Sequence, residues 1–108
     1  METFKIKKSD TKPSLNATLQ YNNGSALDLT GGSVFFIMGN LTDYAVYRSG
    51  ACTITGSTTG QCQYDWNALD TGSVGTYWGE FQTTWSDASV MTLPNSHNLK
   101  IEIFEDYN

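Results

Sequence analysis

Three carboxylates in the middle of the chain are the residues best placed for acid–base chemistry. Asp65, Asp70 and Glu80 lie in an aromatic-rich stretch, and paired carboxylates can serve as general acid and general base in hydrolysis. Asp70, however, precedes Thr71-Gly72, and an aspartate in a turn commonly accepts hydrogen bonds from nearby backbone N–H groups. No serine or threonine lies in a nucleophile motif. We therefore expect a structural role for Asp70 and no enzymatic activity.

Metal-binding residues are few in this sequence. His97 is the only histidine, and Cys52 and Cys62 are the only cysteines, so they do not complete a four-ligand zinc site. The acidic residues do not follow the spacing of a calcium-binding loop. The sequence therefore predicts no metal and no other cofactor, and His97 is expected to be a polar turn residue.

The two cysteines, Cys52 and Cys62, lie ten residues apart on either side of the turn-rich segment 56–60. If the flanking strands form a hairpin, both thiols point inward, because alternate residues of a strand share a face. A shift of two residues in the pairing would change the distance between the thiols but not their face, so disulfide formation is left open. A reducing compartment favours two buried free thiols.

An aromatic stretch in the second half of the chain is expected to organise the core. Alternation puts Tyr64 and Trp66 on one face of a first strand. It puts Tyr77 and Phe81 on one face of a second strand, after a turn at Asp70. Each buried ring removes about 150–250 Å² from water. We therefore expect these five residues to be structural rather than to bind a ligand.

The rest of the sequence has the pattern of short strands separated by turns. Apolar and polar residues alternate over residues 15–21, 81–85 and 99–104, and turn-forming Gly, Asn and Pro residues separate these runs. No segment has a helical pattern. At 108 residues the chain has the length of one domain, residues 1–108. The expected fold is an all-β antiparallel β-sandwich of about seven to nine strands.

Two segments have a less regular pattern. Residues 33–38 are apolar on both faces, which predicts a strand covered on both sides or packed at a subunit contact. Residues 41–50 fit either a short strand flanked by loops or an exposed interaction loop. Tyr44, Tyr47 and Arg48 of this second segment are the candidate partner-binding residues, because tyrosine and arginine are favoured in interfaces.

The composition argues against two classes of partner. A formal net charge of −5 disfavours a phosphate-binding surface, which needs clustered lysine and arginine. No stretch approaches the roughly 18 apolar residues of a membrane span, and the first residues lack a hydrophobic signal region. We expect neither nucleic acid nor a membrane as a partner, and we expect synthesis in a cytoplasm.

Three segments, taken in order, resemble one known family. Residues 4–15, FKIKKSDTKPSL, resemble the opening F-x-I-K-x-x-D-T-x-P-x-L of a domain found in structural proteins of tailed phages. Residues 27–36, LDLTGGSVFF, resemble its segment v-D-L-T-G-a-x-V-x-F. Residues 60–81 resemble its segment G-x-v-x-Y-x-W-x-x-x-D-T-x-x-x-G-x-Y-x-x-E-F. The family is the immunoglobulin-like N-terminal domain of phage baseplate upper proteins and its stand-alone relatives.

The resemblance implies an immunoglobulin-like β-sandwich that serves as a non-enzymatic assembly module of the virion. It implies binding to other virion proteins of the tail or baseplate, in a homo-oligomer or in many symmetric copies. The chain ends at Asn108, without the C-terminal extension of the longer family members, so a capsid decoration protein is an alternative. A host-glycan-binding adhesin that uses residues 44–48 is a further alternative.

Overall fold

The computed structural model describes residues 2–21, 23–43, 45–93 and 99–105. Within these residues there are nine β-strands and one short 3-10 helix at residues 57–59. The strands are β1 Glu2–Lys7, β2 Leu15–Thr18, β3 Gly32–Asn40, β4 Val46–Ala51, β5 Thr53–Gly56, β6 Gln61–Tyr64, β7 Gly75–Trp85, β8 Val90–Leu93 and β9 Leu99–Phe104. The predicted all-β fold of seven to nine strands is confirmed.

The strands form two sheets. In the larger sheet the order is β1, β9, β7, β3, β4, and β8 also pairs with β7. β1 runs parallel to β9, whereas the other pairs in this sheet are antiparallel. The smaller sheet has the antiparallel order β2, β6, β5. The two sheets make an immunoglobulin-like sandwich with β3 and β7 at the centre of the larger sheet.

Side-chain alternation in β3 shows where the core lies. Val34, Phe36 and Met38 are buried between the sheets, whereas Phe35 is 47% exposed on the outer face. Of the two alternatives for residues 33–38, a strand covered on both sides is not what the described residues show, because Phe35 is exposed on the outer face. A subunit contact at that face stays a prediction.

Aromatic side chains from both sheets meet around Phe36. Its ring centroid lies 4.8 Å from that of Tyr64 and 5.6 Å from that of Trp66. The Phe81 ring is 5.3 Å away on the neighbouring strand β7. Trp66 also stacks on Phe4 of β1, with centroids 5.6 Å apart. Because Tyr64 belongs to the smaller sheet and Phe36 to the larger, these contacts hold the two sheets together.

Candidate functional site

An extended segment, residues 46–56, forms the outermost strand of both sheets and is called here the edge segment. Its first part is β4, which ends the larger sheet and pairs with β3. Its second part is β5, which ends the smaller sheet and pairs with β6. A terminal strand pairs on one side only and leaves a row of backbone N–H and C=O groups on its other side. The edge segment can therefore accept an added strand from another protein.

The edge segment changes sheets at Cys52. The backbone N–H of Cys52 donates to the carbonyl oxygen of Val34 in β3, at 2.8 Å. The next residue, Thr53, already lies opposite Gln63 of β6. One continuous stretch of extended backbone therefore borders both layers of the sandwich.

The backbone N–H groups of Ser49 and Ala51 lie on the open side of β4. The N–H of Cys52 points toward β3, and N–H directions alternate along an antiparallel strand, so those of Ser49 and Ala51 point away from β3. Both residues are exposed, and they lie opposite Ile37 and Phe35 in the register. Their small side chains leave the backbone accessible to a partner.

Residues 48–51 of the edge segment lack the lysine, proline and bulges that usually block an open strand edge. Proteins protect such edges with lysine, proline, bulges or very short strands. On the opposite side of the larger sheet, β1 carries Lys5 and Lys7, and in the smaller sheet β2 has only four residues. The edge segment contains no lysine and no proline. Its pairing with β3 is irregular between Val46 and Arg48, its pairing with β6 is irregular between Ile54 and Gly56, and β5, like β2, has only four residues. Its regular part is residues 48–51.

Two of the predicted partner-binding residues, Tyr47 and Arg48, form a stack at the start of the edge segment. The ring of Tyr47 is nearly parallel to that of Tyr77, with centroids 5.0 Å apart and an interplanar angle of 11°. The Arg48 guanidinium carbon lies 4.9 Å from the Tyr47 ring centroid, a cation–π distance. Both side chains are half-buried and pack on this chain itself. Tyr44, the third candidate, lies outside the described residues.

A buried polar pair, Tyr64 and Asp70, lies beneath the edge segment. The Tyr64 hydroxyl donates to Oδ2 of Asp70 at 2.6 Å, and the same oxygen accepts the N–H of Asn67 at 3.0 Å. Burial, and then the bond to the Asp70 carboxylate, raise the pKa of Tyr64. A Cβ on Gly50 of β4 would lie 2.9 Å from the Tyr64 ring, so a glycine there leaves room for the ring. The geometry gives this pair a structural role.

The three carboxylates considered for acid–base chemistry do not converge. Asp70 is buried in the connection between β6 and β7. Asp65 is exposed and accepts hydrogen bonds from Ser14 Oγ and Gln63 Nε2, both at 2.7 Å, and these bonds lower the pKa of Asp65. Glu80 lies on the outer face of the larger sheet, in the middle of β7. The arrangement contains no acid–base pair across a common cleft.

Neither a metal-binding cluster nor a membrane-spanning helix occurs in the part of the chain that the structure describes. Across residues 2–21, 23–43, 45–93 and 99–105, no three His, Cys, Asp or Glu side chains group in a way that could hold a metal ion. His97 lies outside these ranges. Nor do these ranges contain a helix that is long and apolar enough to cross a membrane.

The sequence pattern indicates the neighbourhood of the edge segment but not its role in two sheets. Residues 41–50 were expected to be a short strand or an interaction loop, and β4 occupies residues 46–51. The change of sheet at Cys52 was not predicted. One available signal was the run of residues 46–56, in which Arg48 is the only charge and proline does not occur.

The comparisons with known proteins bear on the fold. The chain is similar to the solved structure of CopC from Methylosinus trichosporium OB3b, with a TM-score of 0.53 and 12% sequence identity. The similarity covers 98% of this chain and 87% of that one. This chain has an immunoglobulin-like β-sandwich fold. A likeness at 12% identity shows the fold alone.

Neither a protein-family model nor a curated protein matches the sequence. The resemblance to the phage baseplate family therefore stays a prediction.

Proposed function

We propose that this chain is a non-enzymatic structural protein of a tailed bacteriophage virion. It is made in the host cytoplasm and enters the tail or baseplate by binding other virion proteins. The ordered resemblance of residues 4–15, 27–36 and 60–81 to the phage domain family supports the viral assignment. The observation that carries the assembly role is the open edge of β4 at residues 48–51.

The edge segment supports assembly by strand addition. A partner strand laid along residues 48–51 would bond to the outward backbone groups of Ser49 and Ala51. Each such hydrogen bond contributes about 0.5–1.5 kcal/mol net. A contact of this size is weak in one copy, but symmetric repetition in a particle multiplies its effect.

The outer face of the larger sheet adds apolar area beside this edge. Phe35 is 47% exposed and lies opposite Ala51, whose methyl side chain leaves the Phe35 ring accessible from the open side. A strand added to β4 would extend this face and place its own side chains near Phe35. The apolar outer face of β3 is then the subunit contact that the sequence pattern allowed.

Two other functions have less support. Capsid decoration uses the same edge and differs only in the place of the protein in the particle. A glycan-binding adhesin needs Tyr47 and Arg48 to face a ligand, whereas Tyr47 packs on Tyr77 and Arg48 packs on Tyr47.

The test is a mass-spectrometric inventory of purified virions, followed by immunogold labelling with an antibody against this chain. The expected result is the chain in the inventory and gold at the tail tip. Gold over the head would replace the tail role with capsid decoration. Absence of the chain from the particle inventory would overturn the virion proposal, and a glycan array would then test the adhesin.

A further inference from the structure

The two cysteines lie where the edge segment passes from one sheet to the other. Cys62 of β6 is 1% exposed, and Cys52 is half-buried and packs against the core. Cys62 shares its strand face with Tyr64, and Cys52 shares its face with Ile54, so both thiols point into the space between the sheets. The two sulfur atoms therefore occupy the same interior region.

The register of the β5–β6 hairpin brings these thiols together. Ile54 lies opposite Cys62, which makes Cys52, two residues earlier, a diagonal neighbour on the same face. Cys52 itself is still bonded to the larger sheet, because its N–H donates to the Val34 carbonyl oxygen. Contact with Cys62, followed by burial, raises the pKa of Cys52, and contact with Cys52 lowers the pKa of Cys62, as expected of two neighbouring thiols. Diagonal neighbours lie about 7–8 Å apart, beyond the roughly 4.4–6.8 Å between the Cα atoms of a disulfide, so the bond requires the backbone at Cys52 to shift toward β6.

We propose that Cys52 and Cys62 are a disulfide-forming pair that a low-molecular-weight disulfide, such as oxidised glutathione, converts to an intramolecular disulfide. The Cys52 thiolate attacks one sulfur of the reagent, its S–S bond breaks, and the departing thiolate takes up a proton equivalent to the one Cys52 lost. The Cys62 thiolate then attacks the Cys52 sulfur and expels the second reagent thiolate, which is likewise protonated. Two protein thiols are oxidised and one reagent disulfide is reduced to two thiols.

Exposure, rather than acidity, sets the order of these two steps. Contact with Cys62, followed by burial, raises the pKa of Cys52, whereas contact with Cys52 lowers the pKa of Cys62, so the reaction at Cys52 draws on a small thiolate fraction. Both thiols point inward, but Cys52 lies in the terminal edge segment and is half-buried, whereas Cys62 lies in the central strand of the smaller sheet and is 1% exposed. Cys52 is therefore the residue that a dissolved disulfide meets first. Cys62 needs no access to solvent for its own step, because the sulfur that it attacks belongs to its neighbour Cys52. The pair thus has an entry thiol and a resolving thiol.

The bond would fix the edge segment at its change of sheet. Cys52 is the residue at which the segment leaves β3, and Cys62 belongs to the central strand of the smaller sheet. Linking them covalently ties the larger sheet's last strand to the middle of the smaller sheet. The pair would form its disulfide whichever partner binds the edge segment, so this inference does not depend on the virion assignment.

The test is to incubate the folded, purified chain with oxidised glutathione, to denature it with excess N-ethylmaleimide, and to measure the intact mass. We expect a monomer that is about 2 Da lighter than the reduced chain, with no maleimide and no glutathione attached, because two hydrogen atoms are lost in forming the S–S bond. A chain that still takes up two maleimide groups, or that keeps a bound glutathione, would overturn the proposal.

Single-cysteine variants separate the two roles. Cys62→Ser is expected to keep a glutathione on Cys52, a gain of about 305 Da, because the resolving thiol is absent. Cys52→Ser is expected to stay unmodified until it is denatured, because Cys62 is buried. Glutathione on Cys62 in folded Cys52→Ser would contradict the assigned order. If either variant fails to fold by circular dichroism, the mass of the wild-type chain alone decides.

Discussion

The Tyr64 hydroxyl donates a 2.6 Å hydrogen bond to Oδ2 of Asp70, and the two residues are 4% and 2% exposed. The bond joins the end of β6 in the smaller sheet to the connection that leads into β7 of the larger sheet. Asn67 supplies a second donor to the same carboxylate oxygen. A buried carboxylate needs such donors, since leaving it without them is expensive.

Removing the Tyr64 hydroxyl is expected to destabilise the fold. Tyr64→Phe should lower the free energy of unfolding by about 1.5–3 kcal/mol, the range for a hydrogen bond to a charged group. Asp70→Ala should lower it further, because Asn67 loses its acceptor as well. The double variant should lose less than the sum of the two, which urea denaturation of all four proteins measures.

Tyr77→Phe is the matched control for this pair. Its hydroxyl donates to the carbonyl oxygen of Ser73 at 2.9 Å, a neutral acceptor at a part-buried position. Tyr77→Phe should lower the free energy of unfolding by about 0.5–1.5 kcal/mol. If Tyr64→Phe is no more destabilising than Tyr77→Phe, the hydrogen bond to Asp70 contributes no more stability than a hydrogen bond to a neutral acceptor.

Alkaline pH is expected to unfold the protein through its buried tyrosines. Burial and the Asp70 contact raise the pKa of Tyr64, and burial raises the pKa of Tyr77. Below the usual tyrosine pKa of about 10, both tyrosines are neutral in the folded and unfolded states, so they contribute their full stabilisation to the folded state. Above it the unfolded chain loses protons first, and stability falls with rising pH.

Urea denaturation between about pH 8 and pH 11 checks this expectation. The contact with Cys62, followed by burial, raises the pKa of Cys52, so the series is run in the Cys52→Ser background. Adding Tyr64→Phe should flatten the decline above pH 10. An equal slope in both proteins would assign the alkaline loss to other groups.

Gly60 is expected to tolerate no side chain, whereas Gly24 should tolerate one. Both have positive φ, 70° and 87°, a conformation that costs a non-glycine residue about 1–2 kcal/mol. A Cβ on Gly60 would also lie 2.4 Å from the Leu19 carbonyl oxygen and 3.0 Å from that of Leu27, whereas nothing lies within 4 Å of one on Gly24.

Thermal and urea unfolding of the two alanine variants measure the difference. Gly24→Ala should cost about 1 kcal/mol, and Gly60→Ala at least about 3 kcal/mol, because its contacts are with backbone atoms that cannot rotate away. Equal losses would mean that the backbone conformation alone sets the penalty at Gly60.

A lysine at the open edge is expected to block assembly without unfolding the chain. Ala51→Lys places a charge beside the outward backbone groups of β4, at an exposed position where stability changes little. Incorporation into particles should fall at least about tenfold, the effect of 1.4 kcal/mol per contact. Leu69→Lys, at a 70% exposed position outside the strands, is the control. Equal incorporation of the two variants would exclude the edge as the contact.

The sequence alone predicted the features that depend on neighbouring residues. Alternation along each strand put Tyr64, Trp66, Tyr77 and Phe81 on their inward faces, and all four are buried. Parity likewise put both cysteines inward. The turn chemistry of Asp70 anticipated the bond from the Asn67 N–H. These are local properties of a few consecutive residues, so a single sequence reveals them.

Only the tertiary structure decided which strands pair and which sheet each belongs to. β1 runs beside β9, although about a hundred residues separate them, and β6 and β7 are consecutive but lie in different sheets. The change of sheet at Cys52, the diagonal position of Cys52 and Cys62 and the open edge all follow from that pairing. Backbone hydrogen bonds between distant strands do not depend on particular side chains, and the same face of a strand can be buried in several registers. The local sequence pattern therefore does not determine which strands pair or in which register.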